Sequence, residues 1–165
     1  MMDEKLKRFF DSINFSTELF LNATIKKVVL HSKINLYEVI ITSKEIIPKE
    51  EIDKLIKCAN KGINGEKDCK VKIEYDVNRD DIYNFGITLI NEYFKNSPSL
   101  STIEVNKIYD DLDIKCNSKV EVTMIKNKLK NLKEFLDIYG VRDIEVSISL
   151  NEEAIKLLQE EIKEE

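Results

Sequence analysis

The chain has 165 residues, of which 42% are hydrophobic and 35% charged, and its net charge is −5. That length suits one domain or two small ones, and the hydrophobic share excludes an intrinsically disordered chain. Acidity of this size repels phosphate, so it disfavours a constitutive nucleic-acid binder unless a local patch overrides it.

Leu6, Phe9, Phe10 and Ile13 recur at helical spacing with charge on the other face, and predict a first helix over residues 2–11. A short second helix carrying Leu19 and Phe20 is expected after it, capped by Asn14 or Ser16. Two β-rich runs follow, 24–31 and 36–42, and the polar Ser32-Lys33-Ile34-Asn35 between them reads as a hairpin turn. Pro48 fits the first turn of a helix whose apolar face is Ile52, Leu55, Ile56 and Ala59, ended by Gly62 and Gly65. Val71, Ile73, Tyr75 and Val77 alternate with Lys72, Glu74 and Asp76, which predicts a strand with one wet face.

A long helix is expected over 80–96, with Ile82, Phe85, Leu89, Ile90 and Tyr93 as its buried stripe and Ser97-Pro98-Ser99 as its stop. Residues 100–108 read as a second, shorter helix. Val120, Val122 and Met124 alternate with Lys119, Glu121 and Thr123 and predict a strand. Leu129, Leu132, Leu136 and Tyr139 then mark a helix that Gly140 ends in a left-handed turn. Ile144, Val146, Ile148 and Leu150 alternate as the last strand, and a Glu-rich amphipathic helix on Ile155, Leu158 and Ile162 closes the chain. The fold class is α+β, with two small packed α/β halves over 1–77 and 78–150 and an acidic helix or linker over 151–165. No linker rich in Gly, Pro or Ser divides the halves, and no internal repeat shows in residue identity.

The first ten residues lack the apolar run of a signal peptide, and the longest apolar stretches, 28–30 and 39–41, are too short to span a bilayer. A cytoplasmic location with no membrane partner is expected. Cys58, Cys69 and Cys116 are an odd number at wide spacing without C-x-x-C, so they read as buried or incidental thiols rather than a disulfide framework or zinc site.

Covalent chemistry has few side chains to work with. His31 is the single histidine and reads as a hairpin-edge residue, which leaves Ser and Cys nucleophiles without an obvious base. No G-x-S-x-G, Walker A loop or Rossmann fingerprint exists among four glycines, and no cofactor is expected. Asp110-Asp111-Leu112-Asp113 has alternate carboxylates of the kind that converge on a divalent cation, but it falls in a helix-to-strand connection and reads as a solvated loop. Gly62-Ile63-Asn64-Gly65 matches the G-x-x-G loop with which KH domains clamp single-stranded backbone. A strand is expected to follow it and its middle residues are uncharged, so it reads as a helix terminus plus turn.

Charge is clearest late in the chain. Lys115, Lys119, Lys126, Lys128, Lys130 and Lys133 are opposed within 115–133 only by Glu121. The C-terminal run sets Glu152, Glu153, Glu160, Glu161, Glu164 and Glu165 against Lys156 and Lys163. Such runs are usually solvated faces, and the lysines are the candidate patch for nucleic acid or an acidic partner. Phe135 and Tyr139 fall on the apolar face of their helix, so aromatic side chains for base stacking are few there.

Several segments, in order along nearly the whole chain, resemble the N-terminal region of the PolC-type DNA polymerase III α subunit. Residues 20–33, with Ile25-Lys26-Lys27-Val28-Val29-Leu30-His31-Ser32-Lys33, are similar to the family's I-x-K-L-x-I-H-K strand, and an aromatic-bearing return strand and Ile47-Pro48 follow as in the family. Ser97-Pro98-Ser99-Leu100 resembles its Ser-Pro-Pro stop, and Asn117-Ser118-Lys119-Val120, then Tyr139-Gly140 and a final strand, resemble its closing stretch. The resemblance implies a piece of a longer replicative polymerase, lying before an OB-fold, a proofreading exonuclease and the polymerase palm, whose acidic metal-binding motifs do not occur in these residues. It implies a first segment similar to the polymerase-binding domain of the clamp-loader tau subunit and a second that is KH-like. The expected role is non-catalytic, with a replisome protein of clamp-loader or single-strand-binding type as partner and nucleic acid as the alternative.

Overall fold

The computed structural model describes residues 1–100, 102–153, 155, 156 and 159. Among them the order is α1 (Glu4–Ser12), β1 (Ala23–His31), β2 (Leu36–Ser43), α2 (Lys49–Ala59), β3 (Asp68–Tyr75), α3 (Arg79–Phe94), a 3₁₀ turn (Pro98–Leu100), β4 (Glu104–Ile108), β5 (Asp111–Cys116), α4 (Lys119–Ile138) and β6 (Glu145–Leu150). The fold is mixed α+β, with two three-stranded sheets. The chain divides into two compact units. One is Met1–Ile82 with Ile138–Gly140, and the other comprises Tyr83–Asp137 and the residues from Val141 onward.

In the first unit β1 and β2 form an antiparallel hairpin, in register from Ala23↔Ser43 to His31↔Leu36 with a bulge between Ile25 and Lys27. β3 lies parallel to β2, from Leu36↔Asp68 to Ser43↔Tyr75. Parallel neighbours need a crossover, and α2 supplies it. Pro48 caps α2 where its missing N–H costs nothing. Leu6, Phe9 and Phe10 of α1 and Ile52, Leu55 and Ala59 of α2 are buried with Val39, Ile41 and Ile73 of the sheet. The helix expected near Asn14 to Phe20 is absent. Asn14 turns the chain left-handed at φ 56°, and Phe15 and Phe20 meet the Phe10 ring edge-on at 4.9 and 5.2 Å. Burial of three aromatic rings outweighs a weak local helical preference.

The second unit repeats the wiring of the first. β4 pairs antiparallel with β5, β6 lies parallel to β5, and α4 makes the crossover. Residue identity gives no hint of this repetition, because wiring depends on the order of elements and not on their side chains. Two expectations fail here. Residues 104–108 form a strand rather than a helix, with Val105 buried between exposed Glu104 and Asn106, and Tyr109 at φ 54° opens a two-residue hairpin loop. Residues 119–124 are the first turns of α4 rather than a strand. Ser118 Oγ accepts from the Glu121 N–H at 3.2 Å, while Glu121 Oε1 accepts from the Asn117 N–H at 2.9 Å. These bonds satisfy amides that a helix start leaves open, as in a capping box. The expected tail helix falls mostly outside the described residues, including Leu158, Ile162 and the glutamates from Glu160; 152, 153, 155, 156 and 159 are helical.

Candidate functional site

Four of the six candidate lysines share one face of α4. At 100° per residue Lys119, Lys126, Lys130 and Lys133 fall within an arc of about 60° along about 21 Å of axis, and all four are exposed. Lys133 Nζ lies 3.8 Å from the Glu145 carboxylate. Lys128 lies on the opposite side of the helix and is half-buried, and Lys115 sits half-buried in β5 between Glu104 and Ser149. The stripe borders a groove of about 480 Å³ with Lys119 and Lys126 on its rim and Val122, Ile148, Leu150 and Ile155 in its lining. No aromatic ring lines that groove; Phe135 instead packs on Tyr93 at 5.0 Å.

The aspartates do not form the solvated loop read from the sequence. Asp110 is in the β4–β5 hairpin loop, where its carbonyl accepts from Tyr83 Oη at 2.8 Å, and Asp111 and Asp113 belong to β5. Asp113 is only 4% exposed and accepts from Ser147 Oγ at 2.9 Å and Ser149 Oγ at 2.7 Å, which fastens β6 to β5. Burial of a carboxylate is tolerable because both oxygens are hydrogen-bonded. Among the described residues no three His, Cys, Asp or Glu side chains stand close enough to hold a metal ion.

Gly62 to Gly65 turn the chain from α2 into β3, with Gly62, Asn64 and Gly65 all at positive φ. The loop joins a helix to a strand, whereas a KH clamp stands between two helices. A Cβ on Gly62 would lie 2.9 Å from the Lys67 carbonyl oxygen, so the turn itself demands glycine. His31 ends β1 with Nε2 4.0 Å from the Glu38 carboxylate. Burial pushes the thiols of Cys69 and Cys116 up to about 11, so both stay protonated and unreactive near neutral pH.

One cluster was invisible in the sequence because its members lie 86 residues apart. Asp53 accepts from Lys49 Nζ at 2.9 Å and from Tyr139 Oη at 2.5 Å, and Lys49 stands 5.4 Å from the centre of the Tyr139 ring. The bond to Asp53 raises Lys49 above its ordinary value. Burial first, then the bond to Asp53, pushes Tyr139 up to about 12. Both groups therefore hold their protons and act as a polar clamp on residues 138–140.

The first unit also leaves apolar surface bare. Leu19, Leu21, Val28, Leu30 and Ile34 are all exposed. A groove of about 910 Å³ opens beside α1, lined by Met1, Met2, Phe10, Phe15 and Leu21, with Glu18 among its acidic neighbours. No described helix is long and apolar enough to cross a membrane.

No curated protein matches this chain. Residues 5–75 match the family model described as DNA polymerase III polC-type N-terminus I. The matched stretch holds α1, the β1–β2 hairpin, α2 and β3, including the Ile25 to Lys33 segment and Ile47-Pro48 on which the sequence resemblance rests. Over these residues the chain is thus similar to the N-terminus I region of polC-type DNA polymerase III.

Proposed function

We propose that the chain is a non-catalytic interaction module of a PolC-type replicative polymerase, acting in the cytoplasm by binding a replisome protein of clamp-loader or single-strand-binding type. The observation that carries this reading is the bare apolar surface of the matched module, where Leu19, Leu21, Val28, Leu30 and Ile34 face solvent on a highly charged chain. Exposed apolar side chains that cluster mark interaction surfaces, and Val28, Leu30 and Ile34 fall together along β1 and the turn that follows it. A pull-down of the 165-residue chain against clamp-loader, helicase–primase and single-strand-binding proteins tests it. Capture of one of them, weakened by charged replacements of these residues, supports the reading, and capture of none overturns it.

A second reading has one observation in its favour, the exposed lysine stripe of α4. It makes the second unit a KH-like binder of single-stranded nucleic acid through phosphate contacts alone. Four contacts give a slope of log K against log salt of about −3 for single strands. Anisotropy of a labelled oligonucleotide at low salt decides it, and no signal at tens of micromolar protein disposes of it.

A further inference from the structure

β6 is an edge strand of the second sheet, paired only with β5 among the described residues, so alternate backbone N–H and C=O groups along it point away from the sheet. Its register with β5 runs unbroken from Glu145 to Leu150, and it carries no proline, lysine or bulge of the kind that discourages strand addition. α4 flanks both ends of this strand. Lys133 Nζ lies 3.8 Å from the Glu145 carboxylate at the start of β6. Toward its other end Lys119, Val122 and Lys126 share the lining of the groove of about 480 Å³ with Ile148, Leu150 and Ile155. The exposed lysine stripe of α4 therefore runs alongside a free strand edge.

Charge along this groove is of one sign. Its lining holds Lys119 and Lys126 and no carboxylate. The acidic side chains of the neighbouring elements are engaged or lie elsewhere. Glu121 is buried and accepts from the Asn117 N–H, Asp137 pairs with Arg142, and Glu145 pairs with Lys133. Asp111 and Asp113 belong to the opposite sheet face, where Ser147 and Ser149 donate to Asp113. Glu134, Glu152 and Glu153 are exposed and outside the lining, and none of them forms an ion pair with Lys119, Lys126 or Lys130. The floor is apolar: Ile148 and Leu150 share their face with the buried Ile114 and Cys116 and are themselves only half-buried.

We infer that β6 accepts an extended protein segment as a fourth strand of its sheet, one whose groove-facing side chains run acidic, apolar, acidic. The apolar side chain would rest on Val122, Ile148 and Leu150, and the carboxylates two residues to either side would reach Lys119 and Lys126. Those carboxylates would stand about 14 Å apart along the strand, against about 10 Å of helix axis between the two lysines, a difference that flexible lysine side chains span. The segment's alternate side chains would meet Ser147 and Ser149 and suit uncharged polar residues. Main-chain hydrogen bonds would hold the segment and the lysines would select it. A nucleic-acid strand fits this groove less well, because it cannot continue the N–H and C=O ladder and finds no aromatic ring to stack on. The site belongs to the second unit and goes beyond the role proposed for the apolar surface of the first.

The probe is a blocked, fluorescently labelled peptide of sequence Thr-Glu-Thr-Ile-Thr-Glu-Thr, titrated into the 165-residue chain by anisotropy, with amide hydrogen exchange on the complex. At saturation the outward amides of residues 145–150 should gain at least tenfold protection, and the affinity should fall with added salt. Lys119→Glu combined with Lys126→Glu should weaken binding tenfold or more without lowering the urea midpoint, because both side chains are exposed. A peptide with Lys in place of Glu should bind wild type at least tenfold more weakly and recover on that double variant. Protection elsewhere, indifference to the double variant, or equal binding of the lysine peptide would overturn the inference. So would protection of the same amides that rises with protein concentration alone, since that identifies a second copy of the chain as the occupant. An oligothymidylate that binds tenfold more tightly than the peptide and is lost with the same lysines would overturn it in favour of nucleic acid. If the peptide fails to bind while a replisome protein is still captured, this site is wrong and the proposed role stands. If the peptide binds as described and no replisome protein is captured, that role fails and this site stands.

Discussion

Replacing Ser118 by Ala should destabilise the protein, and replacing Val120 by Ala should not. Ser118 accepts from the Glu121 N–H and Glu121 accepts from the Asn117 N–H, so the pair closes the start of α4. Loss of the serine cap costs about 1 kcal/mol, equivalent to a fall of about 2 to 4 °C in Tm for a chain of this size. Glu121→Ala leaves the Asn117 amide without its partner and costs about 1 to 3 kcal/mol. Both residues serve the same turn, so the double variant should differ from the sum of the single ones. Val120 supplies the sign test. It is 69% exposed in the first turn of α4, where alanine is the better helix former, so Val120→Ala should be neutral or stabilising by a few tenths, about 0.3 to 0.6 kcal/mol. In a strand Val120 would pack inward and the same change would cost about 1 kcal/mol or more. Urea unfolding followed by circular dichroism measures all four variants. A silent Ser118→Ala together with a destabilising Val120→Ala would refute the helical start and the crossover built on it.

Gly140 sits at φ 89°, and a Cβ there would come 2.7 Å from the Tyr75 ring, so Gly140→Ala should cost about 2 to 4 kcal/mol in a urea melt. Cys58 is half-exposed while Cys69 and Cys116 are buried with thiols near 11. At pH 8 a thiol reagent should therefore titrate one cysteine quickly, and two only on unfolding; three fast thiols would contradict the packing. Tyr139 is raised in the folded state from 10.0 to about 12, so its contribution to stability is intact below pH 10 and is lost as pH rises from 10 to 12. Urea midpoints measured across that window should fall more steeply for wild type than for Tyr139→Phe, and parallel profiles would remove Tyr139 from the clamp.

The parts of this fold that were legible in the sequence are those set by local pattern. The β1–β2 hairpin, α2 after Pro48, β3, α3 and β6 follow from alternation, helical spacing and turn residues. The misreadings have a common origin in long-range packing or overlooked capping. Val120, Val122 and Met124 alternate by accident, and the Ser118-x-x-Glu121 signature that marks a helix start was present but outweighed. Residues 104–108 offered a single buried valine, too little to separate a short strand from a helix. Of the basic stretch, spacing alone could place Lys119, Lys126, Lys130 and Lys133 on one face, but only once 119–138 was known to be a single helix. Asp113 looked solvated because nothing local reveals that Ser147 and Ser149 lie beside it. The bare edge of β1 was equally hidden, since exposure of Val28 and Leu30 depends on where the covering helices stop.

On the proposed reading this module recognises a protein. Its most direct test is biolayer interferometry with the immobilised 165-residue chain, presenting purified clamp-loader subunits, single-strand-binding protein and a labelled oligonucleotide in turn at physiological salt. Saturable binding of one protein and none of the oligonucleotide is the expected result. Saturable oligonucleotide binding with no protein bound would contradict it.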